Sequence, residues 1–152
     1  MGNGDSTAGD VEKRYYLQKV KLGAGSFGTV WRAVDRKTNK IVAIKQLDKS
    51  RMTSRGVKRE DVEREIKMMR SCSHSNVLGL HETFEDEKFI YLALEYCGDG
   101  DLSDKIRERA LRLQEPQAAE WMRQICSAIS ALHTTGICHR DIKPENFMLA
   151  GE

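Results

Sequence analysis

The segment His139-Arg140-Asp141-Ile142-Lys143-Pro144-Glu145-Asn146 puts a carboxylate, a lysine two residues on and an amide five residues on into one short stretch. Pro144 cannot continue a helix, and it biases Lys143 away from helical backbone, so the spacing predicts a loop. Functional side chains concentrate on loops held by a rigid scaffold. Asp141 can accept a proton, Lys143 can neutralise an anion, and the Asn146 carbonyl oxygen can ligate a hard cation. Together they suit a reaction between a hydroxyl and a metal-bound phosphate.

A second stretch handles phosphate by other means. Gly23-Ala24-Gly25-Ser26-Phe27-Gly28 carries glycines that let backbone N–H groups approach phosphate oxygens. Taken alone, Gly-x-Gly-x-x-Gly is also a dinucleotide fingerprint or merely a tight hairpin. A dinucleotide fold needs a helix after the last glycine, whereas Thr29-Val30-Trp31-Arg32-Ala33-Val34 is β-branched and aromatic and favours a strand. After the polar turn Arg36–Lys40, Ile41-Val42-Ala43-Ile44-Lys45 alternates as a further strand. An isolated lysine is ordinarily solvated; its place one turn and one strand after the glycines singles out Lys45.

These two stretches resemble the eukaryotic protein kinases. His139 to Asn146 fits the catalytic loop His-Arg-Asp-Leu-x-x-x-Asn with Ile142 in the leucine place, and Val42-Ala43-Ile44-Lys45 fits Val-Ala-Ile-Lys. The resemblance implies Asp141 as the base that orients an acceptor hydroxyl, Lys143 at the γ-phosphate, Asn146 on magnesium, and Lys45 on the α- and β-phosphates of ATP. It implies an ATP pocket made by Leu22, Gly23, Ala24, Gly25, Ser26, Phe27 at the loop tip, Gly28, Val30, Ala43 and Lys45. The pocket continues through Leu94 as gatekeeper, backbone groups of Glu95 and Cys97, Asp101 at the ribose and Met148 as floor. Lysine at 143 resembles the serine/threonine branch, and Asn146-Phe147-Met148-Leu149 resembles the calcium/calmodulin-dependent and calcium-dependent group. Glu145 and Asp101 suggest protein substrates with basic residues ahead of the serine or threonine acceptor. His139 is expected to be a core histidine supporting the loop.

The elements that must position these groups are legible in outline. Tyr15–Leu22 reads as a strand. Lys49–Arg59 is basic and turn-like, with Thr53 and Ser54 inside it. Glu60–Arg70 reads as a helix with Val62, Ile66 and Met69 on its buried stripe. Glu65 lies beside that stripe, where a carboxylate needs a partner; the resemblance supplies Lys45. Glu60 and Glu63 are rivals, each with an i,i+4 basic partner at Arg64 or Lys67. Strands are predicted over Val77–Phe84 and Phe89–Glu95. The change from Leu94-Glu95-Tyr96-Cys97 to Gly98-Asp99-Gly100 marks a domain boundary. Asp101 also suits the N-cap of a helix over Leu102–Arg109. Pro116–His133 is a helix with Trp121, Ile125, Ala128, Ile129 and Leu132 on one stripe, ended by Gly136.

The expected fold is therefore α+β and kinase-like. Residues 1–14 form a flexible tail, 15–97 a small lobe of an antiparallel five-stranded sheet plus one helix, and 98–152 the start of a mostly helical large lobe. A family domain is about 250–300 residues, and Asp-Phe-Gly should follow Asn146 by about a dozen. The 152 residues are thus expected to be an incomplete catalytic domain, inactive alone. A non-catalytic kinase-like scaffold or decoy is the rival reading. Formal net charge is +2, which gives no reason to expect nucleic-acid binding, and no apolar run approaches the roughly 18 residues of a membrane span. Cys72, Cys97, Cys126 and Cys138 are scattered and read as reduced thiols of a cytoplasmic protein. Met1-Gly2-Asn3-Gly4-Asp5-Ser6 fits the N-myristoylation pattern, and one acyl chain gives only weak peripheral membrane binding. Substrate identity, activating signal and oligomeric state are not encoded in any motif.

Overall fold

The computed structural model describes residues 8–109 and 112–150. They fall into two compact units: one runs to Lys67 and resumes over Gly79–Tyr96, and the other comprises Met68–Leu78 and the chain from Cys97 onward. The fold class is α+β.

The first unit is built on a five-stranded antiparallel sheet of strands β1 (Tyr15–Gly25), β2 (Gly28–Asp35), β3 (Ile41–Asp48), β4 (Leu80–Glu85) and β5 (Phe89–Glu95). Their order across the sheet is β1-β2-β3-β5-β4. β3 and β5 lie inside the sheet, so Val42, Ala43, Ile44, Leu92, Ala93 and Leu94 are buried whichever face they point to. Their near-continuous apolar runs are what two covered faces demand. Antiparallel residues directly opposite one another share a face. The pairings Ala33↔Val42 and Ile44↔Ala93 define one face, which carries the core cluster with Tyr15, Phe84, Tyr91 and Val11. Tyr15 and Phe84 meet edge to face at 5.9 Å.

Val11 belongs to a helix, α1 (Ala8–Arg14), which corrects the expectation of a flexible tail for these residues. The helix is nearly all polar, but Val11 is only 2% exposed. Arg14, its last residue, forms a two-pronged salt bridge with Asp35 at the end of β2, with Nη2···Oδ2 at 2.9 Å, and reaches Glu82 on β4 at 3.3 Å. Asp35 is 7% exposed and also accepts the N–H groups of Lys37 at 2.7 Å and Thr38 at 3.2 Å. A buried carboxylate is tolerable only when paired and hydrogen-bonded in this way. Residues 1–7, including the acylation pattern at Gly2, lie outside the described residues.

Two more helices follow β3. The turn expected over Lys49–Arg59 contains a short helix, α2 (Lys49–Ser54), whose N-cap Asp48 accepts from Ser50 and Arg51 N–H. Then comes α3 (Arg59–Ser71), with acidic Glu60 and Asp61 in its first turn. Val62 is its one buried residue among those described, and Ile66 and Met69 are half-buried. From Met68 to Leu78 the chain groups with the second unit, although the sequence reading kept it with the first. His74 Nε2 and the Ser127 hydroxyl lie 3.2 Å apart, and Asn76 Nδ2 donates to Gln124 at 3.5 Å, both partners on the long helix Glu115–Thr134.

The second unit holds α4 (Leu102–Glu108) and α5 (Glu115–Thr134). Asp101 caps α4 by accepting from the Asp104 N–H at 2.9 Å. Pro116 sits in the first turn of α5, where its missing N–H costs nothing. Gly136, at φ +77°, ends the helix: its N–H reaches the His133 carbonyl and the Ile137 N–H reaches Leu132. Ala128 is buried; Trp121, Ile125, Ile129 and Leu132 are half-covered. Among the described residues no helix is long and apolar enough to cross a membrane.

Two outcomes check the role of α1. Val11→Ala removes two buried methyl groups and is expected to cost about 1.5 kcal/mol, at ~0.8 each, in urea unfolding. The Arg14 guanidinium, with help from the Lys37 and Thr38 N–H groups and against the opposing effect of burial, holds Asp35 well below the ordinary value of 3.8. A depressed folded pKa gives stability that is full above 3.8 and lost as pH falls below it. Asp35→Asn is expected to be less stable at neutral pH and to lose less on acidification.

Candidate active site

In the first unit, register sets the geometry. Val30 pairs with Lys45 and Lys45 with Leu92; Arg32 pairs with Ala43 and Ala43 with Leu94. Val30, Ala43, Lys45, Leu92 and Leu94 therefore share the face opposite the α1 cluster. Ala43 and Leu94 are buried, and Lys45 is half-buried with its ammonium 3.7 Å from the Glu65 carboxylate on α3. Glu65 keeps 53% of its side chain exposed, so pairing rather than burial distinguishes it. The rivals point elsewhere: Glu63 bonds Arg59 at 2.8 Å, and among the described ion pairs none involves Glu60. Leu92, opposite Lys45 and 1% exposed, was not singled out by the sequence reading, though alternation back from Leu94 leads to it.

The glycine segment closes the β1–β2 hairpin with pairs Gly23↔Val30, Ala24↔Thr29 and Gly25↔Gly28, leaving Ser26-Phe27 at the turn. Because strand β2 follows Gly28 directly, the dinucleotide reading is excluded. Gly28 is required by packing, since a Cβ there would stand 1.8 Å from the Gln46 carbonyl oxygen on β3. Gly23 and Gly25 differ: a Cβ on either would meet nothing within 4 Å. The tip is tied down at Phe27, whose carbonyl accepts the Asp48 N–H at 2.7 Å and whose ring lies 5.9 Å from the Arg55 guanidinium. Leu22, just ahead of the segment, is exposed. At the other end of this face the Glu95 N–H donates to the Gly79 carbonyl at 2.9 Å, so any ligand contact from that backbone unit falls to its carbonyl.

In the second unit, Asp141, Lys143 and Asn146 form one cluster. The Asn146 amide nitrogen donates to the Asp141 carboxylate and to its backbone carbonyl, each at 2.8 Å. The Lys143 ammonium lies 3.2 Å from the same Asp141 oxygen. Both contacts hold the Asp141 carboxyl below its ordinary range, the Asn146 hydrogen bond first and Lys143 second. With its nitrogen spent on Asp141, Asn146 turns its carbonyl oxygen away as the end suited to a hard cation. The backbone is shaped for this: Arg140 adopts φ +63°, unusual for a residue with a side chain, and Pro144–Asn146 makes one tight 3₁₀ turn. His139 is exposed, which corrects the expectation of a core histidine; it supports the loop by accepting the Asp141 N–H at Nδ1, 3.2 Å away.

The segment after the loop doubles back on the start of α4. Leu149 N–H donates to the Gly100 carbonyl at 2.9 Å, Leu102 N–H to Phe147 at 2.8 Å and Asp99 N–H to Leu149 at 3.1 Å. Asp101 and Met148 thereby become bridge partners. Met148 is half-exposed, and Cys97, where the chain re-enters this unit, is half-buried. Among the described residues no group of His, Cys, Asp and Glu is arranged to hold a metal ion by itself.

Asn146→Ala removes the largest influence on Asp141. The Asp141 carboxyl, followed by carbon-detected NMR titration, is expected to titrate below 3.8 in the native chain and to move upward in the variant. An unchanged titration would show that the amide does not hold the carboxylate.

The sequence family described as "Protein kinase domain" matches residues 16–152. Calcium-dependent protein kinase 5 of Plasmodium berghei is 42% identical over 139 residues, covering 91% of this chain and 24% of that protein. Aurora kinase of Schizosaccharomyces pombe is 44% identical over 148 residues, 95% of this chain and 41% of its own length. Serine/threonine-protein kinase DCLK3 of Mus musculus is 41% identical over 140 residues, 92% of this chain and 17% of its length. The chain thus spans well under half of each of these curated relatives. With a matching family model over nearly all its residues, a glycine hairpin feeding a lysine–glutamate pair, and an Asp-Lys-Asn cluster on a turn, the chain belongs to the protein kinase domain family.

Proposed function

We propose that these residues form the nucleotide-holding part and the hydroxyl-orienting loop of a serine/threonine protein kinase. The observation that carries the reading is the setting of Lys45. Lys45 stands on strand β3 between Val30 and Leu92 of the neighbouring strands, next to the glycine hairpin, with its ammonium paired with Glu65 at 3.7 Å. Neither Gly23 nor Gly25 is needed by the protein's own packing, which suits hairpin amides approached closely by an external anion.

ATP and magnesium fit the groups present. Apolar Val30, Ala43 and Leu94 suit a flat base, and Lys45 suits phosphate oxygens. The Asn146 carbonyl oxygen would suit magnesium as one hard ligand, and Asp-Phe-Gly does not occur among the 152 residues. Bound magnesium supplies positive charge at the phosphate oxygens. The chain's own residues do the rest. Glycine amides and Lys45 hold the triphosphate, Glu65 keeps the ammonium aimed, and Lys143 offsets charge on the transferred group. Asp141 orients the serine or threonine hydroxyl and takes its proton as the new O–P bond forms and the bond to ADP breaks. The Asn146 hydrogen bond and then the Lys143 ammonium hold Asp141 below its ordinary range and so favour the carboxylate form that accepts from the hydroxyl.

A preference for basic residues ahead of the acceptor belongs to the same proposal. It is supported by exposed Glu145, while the Asp101 carboxylate is already engaged in capping α4. So do acylation at Gly2 and a cytoplasmic address, supported by the pattern Met1-Gly2-Asn3-Gly4-Asp5-Ser6 and by the scattered spacing of Cys72, Cys97, Cys126 and Cys138.

Residues 1–152 are expected to bind nucleotide without transferring phosphate at a useful rate. In a thermal-shift experiment, millimolar Mg-ATP is expected to stabilise the chain and Lys45→Met to abolish the shift. A non-catalytic scaffold would show no shift in either. In a protein that carries these residues together with the missing metal ligand, Asp141→Asn is expected to slow transfer to a peptide by about 10²–10⁴-fold while leaving ATP affinity within about twofold.

A further inference from the structure

We infer that Glu85 is a positioning residue that fixes helix α3, and hence Glu65, against the sheet. This rests on the reading of Lys45 and Glu65 as the pair that holds phosphate. The need for such an anchor follows from packing. Among its described residues α3 buries only Val62, and Glu65 reaches Lys45 at 3.7 Å with more than half its side chain in solvent. A helix with so little apolar grip takes its position from its polar contacts.

The contacts of its first residue converge with those of α2 on one carboxylate. Arg59, the first residue of α3, meets Glu85 with a two-pronged fork: Nη1 to Oε1 at 2.7 Å and Nη2 to Oε2 at 2.9 Å. Lys49, the first residue of α2, places its ammonium 2.6 Å from the same Oε1 and donates to the Asp86 carbonyl at 2.5 Å. Glu63 takes the remaining Arg59 Nε at 2.8 Å, keeping the guanidinium in plane with the fork. Glu85 is the least exposed member, at 24% against 31% for Lys49 and 58% for Arg59. It stands at the end of β4, paired with Ile90. The turn beyond it is stiffened by Asp86, which accepts from Lys88 N–H, Phe89 N–H and the Tyr91 hydroxyl. The carboxylate thus sits on a rigid hairpin, and the starts of two helices hang from it. Glu65 lies six residues past Arg59, about 9 Å along the axis at 1.5 Å per residue, so a shift at the first turn carries through to it.

Hydrogen exchange on the chain separates this role from general stability. Glu85→Gln and Arg59→Ala are each expected to speed exchange of the α3 amides about fivefold while β5 amides keep their rates, and to weaken Mg-ATP binding about fivefold. Arg59→Lys, which keeps the charge but loses the fork, is expected to fall between. Wild-type α3 exchange in Glu85→Gln and Arg59→Ala overturns the inference, as does acceleration shared equally by β5. The Lys45→Met control keeps the two readings apart. If it loses nucleotide binding while Glu85→Gln does not, the anchor falls and the site stands. If Lys45→Met binds normally while α3 loosens in Glu85→Gln, the anchor stands and the phosphate reading falls.

Discussion

Strand β3 imposes the constraint on which the first unit depends. A strand alternates its side chains with a period of two, so one strand can serve a structural face and a chemical face at once. Val42 and Ile44 go to the core with Ala33, Ala93 and Val11, while Ala43 and Lys45 go to the opposite face with Val30, Leu92 and Leu94. A slip of one residue would drive the ammonium of Lys45 into the apolar cluster and bring Ile44 out in its place. The antiparallel neighbours on both sides forbid that slip, because each pairs with β3 in a single unbroken register. Gly28 belongs to the same constraint, since only a residue without Cβ lets β2 lie so close to the Gln46 carbonyl.

The second unit solves a different problem, holding three polar side chains together on a short exposed segment. It does so through local geometry. Arg140 takes a left-handed backbone conformation, a strain of about 1–2 kcal/mol that such loops accept when the surroundings fix it. Pro144 starts the tight turn that returns Asn146 to Asp141, and the Asn146 amide bonds both the carboxylate and the carbonyl of that residue. The pairing of 99–102 with 147–149 then ties the downstream end to the cap of α4. The contacts among His139, Asp141, Lys143 and Asn146 are short in sequence, which is why the segment can be recognised as a string of letters.

That distinction explains what was legible beforehand. The strands around the glycines, the long helix α5, the cap at Asp101 and the turn at Pro144 each follow from a few adjacent residues. Glu65 was chosen by its place beside an apolar stripe. In the structure it is half exposed, and the stripe itself is only partly covered, so its partner Lys45 is the stronger mark. What escaped has no local signal. Helix α1 offers one valine among polar residues, and its docking depends on Arg14 finding Asp35, 21 residues on. Helix α2 hid in a basic run whose cap, Asp48, looked like the end of a strand. The Glu85 hub joins residues 26 and 36 positions away and left no pattern at all.

The central claim is that the Lys45 ammonium, paired with Glu65 beside the glycine hairpin, serves a triphosphate. ATP bearing a reactive acyl group on its terminal phosphate acylates lysines lying beside that phosphate, and peptide mass spectrometry then reads which ones. Modification of Lys45 is expected, suppressed by excess unmodified Mg-ATP, with surface lysines labelled weakly and without competition. Labelling spread over surface lysines, indifferent to competing ATP and sparing Lys45, would contradict it.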